Sequence, residues 1–161
     1  MIQAYLYKCS TLDIKDANLS DEGKNAVFDA LLVNKNTKVT RLVVNTLTVA
    51  SIAQVLAANT ALKELDVSGT WEECWGQDSL FFAKGIAAGL KTGWALTTLN
   101  ISSNQLGKAP AGRALGAMLK TNSVLKELDV SNNEYHPGPG QRMRTDPGFI
   151  AGLANGLEVN S

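Results

Sequence analysis

One histidine, His136, and two cysteines, Cys9 and Cys74, are the side chains of this 161-residue sequence best suited to imidazole or thiol chemistry. His136 stands in Tyr135-His136-Pro137-Gly138-Pro139-Gly140, a turn-rich run, and Cys74 in Trp71-Glu72-Glu73-Cys74-Trp75. A thiolate beside an imidazole makes a nucleophile and its base, but a working pair needs a third group to orient the base, and none is evident. There is no CxxC pair, glycine-rich phosphate loop or nucleophile elbow. The two cysteines lack metal-ligand spacing. The expectation is a protein that is not an enzyme and holds no metal or cofactor, its chemistry being recognition.

Charge narrows what is recognised. Fifteen basic and fifteen acidic residues cancel, so the surplus of Lys and Arg that phosphate backbones require is missing, and a nucleic-acid partner is not expected. No apolar run approaches the roughly 18 residues of a membrane span, and the first ten residues lack the basic start and apolar run of a signal peptide. With two distant cysteines, a reducing, cytoplasmic setting is the default.

Two sets of residues could carry recognition of a protein. The first is polar but for Val43 and lies between regularly spaced apolar residues: Thr11, Arg41, Glu64, Thr98 and Glu127 in one series, Asp13, Val43, Asp66, Asn100 and Asp129 in the next. The second is aromatic and charged and lies in two insertions. One is acidic, with Trp71, Glu72, Glu73 and Trp75; the other is basic, with Tyr135, Arg142 and Arg144. Trp, Tyr and Arg are the residues most often dominant at interfaces.

These residues are positioned by a repeat. Leu96-Thr97-Thr98-Leu99-Asn100-Ile101-Ser102-Ser103-Asn104-Gln105-Leu106 reads LxxLxLxxNxL, with the period-2 alternation of a half-buried strand. LKELDVSNN at 125–133 and LKELDVSGT at 62–70 repeat it, and weaker copies begin at Val39 and Cys9. The starts at 9, 39, 62, 96 and 125 give spacings of 30, 23, 34 and 29. Leucine-rich repeats run roughly 20–29 residues, so the longer gaps hold the insertions. Helical stripes separate the strands: Ala26, Val27, Ala30 and Leu31 after a Ser20 cap; Ile52, Val55 and Leu56 after Thr48; Phe82, Ala83, Ile86, Ala87 and Leu90 after Asp78; Ala114, Leu115, Met118 and Leu119 after Pro110; Ile150, Leu153, Ala154 and Leu157 after Asp146-Pro147. The prediction is one α/β domain over 1–161, a right-handed curved solenoid with parallel strands on the concave face and helices on the convex face. The polar series then become columns on the concave face, rows about 4.8 Å apart, and both insertions leave the same edge.

LTTLNISSNQLG followed by LKTNSVLKELDVSNN resembles the ribonuclease-inhibitor type of leucine-rich repeat, which includes ribonuclease inhibitor, NOD-like receptors, the Ran GTPase-activating protein and the C-terminal domain of tropomodulin. The resemblance covers about residues 9–161. It implies a scaffold that binds a protein through its concave face and adjoining loops. It also implies that Asn104 and Asn133 bond to backbone in the turns of neighbouring repeats. Ala17, Leu47 and Thr70 replace that Asn in the other copies, so the N-terminal half is expected to be less regular. Other roles open to such a scaffold are regulation of a small GTPase and a purely structural segment of a receptor-like array.

Helices end in a short phrase: Asn36-Thr37, Asn59-Thr60, Asn122-Ser123 and, as a variant, Gly93-Trp94, each before a strand. Asn160-Ser161 is the same phrase with no strand after it. The expectation is a fragment of a longer array whose C-terminal end is open to pairing, including self-association.

Overall fold

The computed structural model describes residues 10–33, 38–44, 49–69, 78–92 and 95–158. Five short strands form one parallel sheet in chain order: β1 (Thr11–Asp13), β2 (Arg41–Val43), β3 (Glu64–Asp66), β4 (Thr98–Asn100) and β5 (Glu127–Asp129). A helix follows each strand: α1 (Asp21–Val33), α2 (Val49–Ala58), α3 (Asp78–Thr92), α4 (Ala109–Leu119) and α5 (Pro147–Leu157). Parallel strands need a crossover to run in the same direction, and the helices supply it. The architecture is the α/β solenoid that the repeat predicts.

The register is uniform. Leu12, Leu42, Leu65, Leu99 and Leu128 lie side by side across all five strands. Val44, Val67 and Ile101, each just past its strand, are fully buried. They join Leu31, Phe82, Ile86, Leu90, Leu115 and Phe149 from the helices in one continuous core. The alternation of the central unit thus becomes an apolar layer beneath the sheet, with the polar columns on its other face.

Caps fix the helix starts. The Ser20 hydroxyl accepts from Gly23 N–H at 3.2 Å before α1, and the Asp146 carboxylate accepts from Gly148 N–H at 2.7 Å before α5, where Pro147 opens the helix. Thr48 lies outside the described residues.

Two helical stripes differ from expectation. In α1, Ala26 is exposed and Phe28 is buried beside Val27, Ala30 and Leu31. The buried face is turned by one residue, because the large Phe28 ring offers more apolar area than a methyl group. In α5, Phe149, Leu153 and Gly156 are buried, whereas Ala154 is exposed and Ile150 and Leu157 are 56% and 58% exposed. The cause is backbone-to-backbone packing. Gly112 and Gly116 of α4 face Phe149, Gly152 and Leu153 of α5, and Gly156 faces Gly116. A methyl group at Gly156 would sit 2.7 Å from Gly116 Cα. This contact draws the glycine side of α5 inward and turns the Ile150–Leu157 side away from the core.

Candidate functional site

The exposed face of the sheet forms a shallow hollow of about 520 Å³, lined by Arg41, Glu64, Leu65, Asp66, Thr98, Leu99, Asn100, Glu127, Leu128 and Asp129. Five residues singled out from the sequence, Glu64, Asp66, Asn100, Glu127 and Asp129, meet there. Strand pairing arranges their charges. Glu64 lies between Arg41 and Thr98, and Thr98 separates it from Glu127. Arg41 Nε is 3.4 Å from a Glu64 oxygen, and the Thr98 hydroxyl reaches Glu127 at 3.5 Å. In the second column Asn100 separates Asp66 from Asp129. Neutral or cationic neighbours therefore keep acids from adjoining directly, which tolerates four carboxylates in one hollow.

The second column also has a local duty. Asp13, Asp66, Asn100 and Asp129 each accept the backbone N–H two residues ahead, from Lys15, Ser68, Ser102 and Ser131, at 2.9 to 3.1 Å. These turns end the strands by offering the backbone an alternative to the sheet. One Asp66 oxygen is committed in this way. Partial burial pushes the Asp66 carboxyl up, but the Ser68 hydroxyl and N–H, the Lys15 ammonium and Asn100 together hold it below its ordinary value of 3.8. Lys15 is itself tied down, its ammonium donating to the Ser68 hydroxyl at 2.9 Å.

A lowered folded pKa means stability that is present above the unfolded value and lost as pH falls through the folded one. Asp66→Asn keeps an acceptor for Ser68 N–H, as Asn100 does one strand over, but loses the charge. The variant should be less stable than wild type near neutrality, and the gap should close by about pH 2. Urea denaturation at both pH values measures it; a gap independent of pH would remove the charge from the account.

Asn104 and Asn133 knit the turns together below the hollow. The Asn104 amide donates to the carbonyls of Val67, Ile101 and Ser102 at 2.9 to 3.1 Å. The Asn133 amide donates to Ile101 and Val130, and its oxygen accepts from Asn104 and Leu106 N–H. Asn59 and Asn122 act likewise at the opposite edge. Asn59 donates to Leu31 O and accepts from Ala61 and Leu62; Asn122 donates to Leu90 O and accepts from Val124 and Leu125. The helix-ending phrase is thus a second Asn ladder, a role that its recurrence in the sequence signalled without explaining.

Of the two insertions, the second is described. Tyr135 and Arg144 exchange backbone hydrogen bonds at 2.9 and 3.2 Å, closing a small antiparallel hairpin. Arg144 Cζ lies 5.9 Å from the Tyr135 ring centroid, and Lys108 Nζ, which the sequence gave no reason to choose, lies 5.3 Å from it. These are cation–π distances. Arg142 and His136 are exposed on the same hairpin. Trp71, Glu72, Glu73, Cys74 and Trp75 lie outside the described residues, as do their expected contact with Arg142 or Arg144 and the pairing of Cys74 with His136. Among the described residues no group of His, Cys, Asp and Glu is placed to hold a metal ion, and no helix is long and apolar enough to cross a membrane.

A family model described as a leucine-rich repeat matches residues 96–109, which contain the LxxLxLxxNxL unit at 96–106. No curated protein sequence matches the chain. Among solved structures the chain is similar to one titled Leiomodin-1 Actin-Binding Site 2, with a TM-score of 0.68 and 16% identity over 99% of this chain and 84% of that one. In fold the chain is a leucine-rich repeat solenoid.

Proposed function

We propose that this leucine-rich repeat chain is a non-enzymatic scaffold that binds a protein along the acidic hollow of its strand face, with the Tyr135–Arg144 hairpin and the Trp71–Trp75 insertion as a rim. The observation that carries the reading is the hollow itself. Four carboxylates, Glu64, Asp66, Glu127 and Asp129, converge on about 520 Å³ of open space with one arginine among them. Such a field favours a basic surface and speeds its approach more than it tightens its hold. A reducing, cytoplasmic setting is part of the proposal, resting on Cys9 and Cys74 being the chain's two cysteines, far apart in sequence.

The first partner to try is monomeric actin, because the structurally similar chain is titled an actin-binding site. Calorimetry of wild type against Glu127→Lys/Asp129→Lys should show binding that weakens at least about tenfold in the double variant and falls as salt rises. No heat with actin would discard that partner. For any partner found by pull-down, equal recovery by wild type and Glu127→Lys/Asp129→Lys would discard the hollow. Equal recovery by Trp71→Ala/Trp75→Ala would discard the rim.

A further inference from the structure

The hairpin that follows β5 gathers positive charge around one hydroxyl. Tyr135 and Arg144 are joined through their backbones, and Arg144 Nε donates to the Tyr135 hydroxyl at 3.4 Å. Lys108 Nζ lies 5.3 Å from the centre of the same ring. Arg142 stands two residues before Arg144, and both are exposed. Among the described residues neither arginine forms an ion pair with an acid. A neutral phenol answers this charge poorly. Its hydroxyl is at the long limit of a hydrogen bond from Arg144, and two cations about one ring repel each other. A doubly charged anion at the hydroxyl oxygen would satisfy both.

Backbone contacts hold the cations in place. A Cβ at Gly107 would meet the Asn133 carbonyl, with Thr145 Cα at 3.4 Å, and Asp146 N–H donates to Gly107 O at 2.7 Å. Both arms of the hairpin are thereby seated on the turn that carries Lys108. Asn133, at the root of one arm, is locked in turn by its amide to Ile101 and Val130. Donors fixed in advance lose little freedom on gaining an anion. The tip is open by contrast. Residues 139–144 are all exposed, so parting the Tyr135–Arg144 bridge presents Tyr135 on an extended arm and leaves the core untouched.

We propose that Tyr135 is a phosphorylation site and that Arg144 and Lys108 receive its phosphoryl group. A tyrosine kinase supplies that group from a nucleoside triphosphate. The phenol oxygen forms a bond to the γ-phosphorus as the bond from that phosphorus to the bridging oxygen breaks. The nucleoside diphosphate leaves with the electron pair, and the phenol proton passes to the kinase's base. Phosphotyrosine adds a charge of about −1.5 to −2 and three acceptor oxygens. One bond beyond the hydroxyl oxygen, they meet a guanidinium already turned toward it, and the Lys108 ammonium swings to them on its flexible stem. An anion from outside would have to displace the hydroxyl from Arg144 and give up its own freedom to bind; the phosphoryl group is tethered where the cations converge. Modification clamps the hairpin to the α4 turn and removes most of the positive charge of this edge, whether or not the hollow binds a protein.

The full chain, incubated with magnesium ATP and a panel of purified tyrosine kinases, should be labelled at Tyr135, as mapped by mass spectrometry against Tyr5 and Tyr7, the other two tyrosines. Label confined to Tyr5 and Tyr7, or none at all, would overturn the proposal. With phosphotyrosine installed at position 135 during translation, Tyr135 and Arg144 N–H should exchange at least about fivefold more slowly than in the unmodified chain. Phosphorus NMR should place the second phosphate ionisation at least about half a pH unit below its usual value near 6. Lys108→Gln/Arg144→Gln should remove both effects. Unchanged exchange with an ordinary ionisation would show that the cations do not hold the group, and would overturn the assignment. Phenyl phosphate titrated into the unmodified chain tests the other source: saturable shifts of the Tyr135 and Arg144 amides, with no kinase label at Tyr135, would give the cluster to an external phosphate instead. None of these readouts involves the hollow, so their failure leaves the scaffold reading standing.

Discussion

Gly116→Val should strip the last helix from the solenoid. A Cβ at Gly116 overlaps the carbonyl of Gly152, and all the nearest atoms are backbone, which cannot swing aside as a side-chain tip can. The helices must separate, and Phe149 and Leu153, buried against the core, then lose their cover. Overpacking and the loss of two large apolar contacts together should cost roughly 3–5 kcal/mol. Solenoid units rest chiefly on their neighbours, so the damage should be local. Amides of α5 should exchange freely while those of β2 and β3 keep most of their protection. Ala117→Val is the control: its exposed neighbouring position pays only the helix propensity of valine, under about 1 kcal/mol. Equal midpoints for the two variants in urea would show that the glycine contact has room to relax.

Asn104→Leu should cost about 2–4 kcal/mol. Asn104 is fully buried, and its amide donates to three carbonyls. Two of them keep another donor: Ile101 O retains the Asn133 amide and Ser102 O retains Gly69 N–H. Val67 O has Asn104 as its donor from the next turn, and it is left in a dry interior. Asn104→Asp sharpens the test. At neutral pH a carboxylate would face those carbonyl oxygens, so its folded pKa should rise above the unfolded value of about 3.9. A group raised in this way favours the folded state below its unfolded pKa and penalises it as pH climbs through the folded one. The Asp variant should thus gain stability relative to wild type on going from about pH 7 to pH 4, the reverse of what Asp66 does for wild type. A loss unaffected by pH would mean that the amide fills space and donates little.

The two variants probe different links in the chain from sequence to structure, and the sequence disclosed them unequally. Asn104 and Asn133 recur at one place in LxxLxLxxNxL, and the resemblance assigned them to turns. The Gly112, Gly116, Gly152 and Gly156 contact leaves no such mark, because glycine adds nothing to an apolar stripe. The i, i+3, i+4 stripe of large side chains points Ile150 and Leu157 inward, but absent side chains bring helices closer than large ones do, and both residues lie exposed. The same blindness hid Lys108, which reaches Tyr135 across a turn and belongs to no motif.

What the sequence determined by itself was the strand order, the register and the polar columns. Those depend on local alternation, repeated five times, and a one-residue slip would turn every leucine to solvent. Tertiary structure decided which flank of each helix is buried, and that Asp66 and Asp129 bind their own turns while lining the hollow. The buried flanks depend on contacts between residues roughly thirty to forty positions apart, set by how closely neighbouring backbones can approach, and the turns on how each carboxylate settles on the N–H two positions ahead once the strand ends.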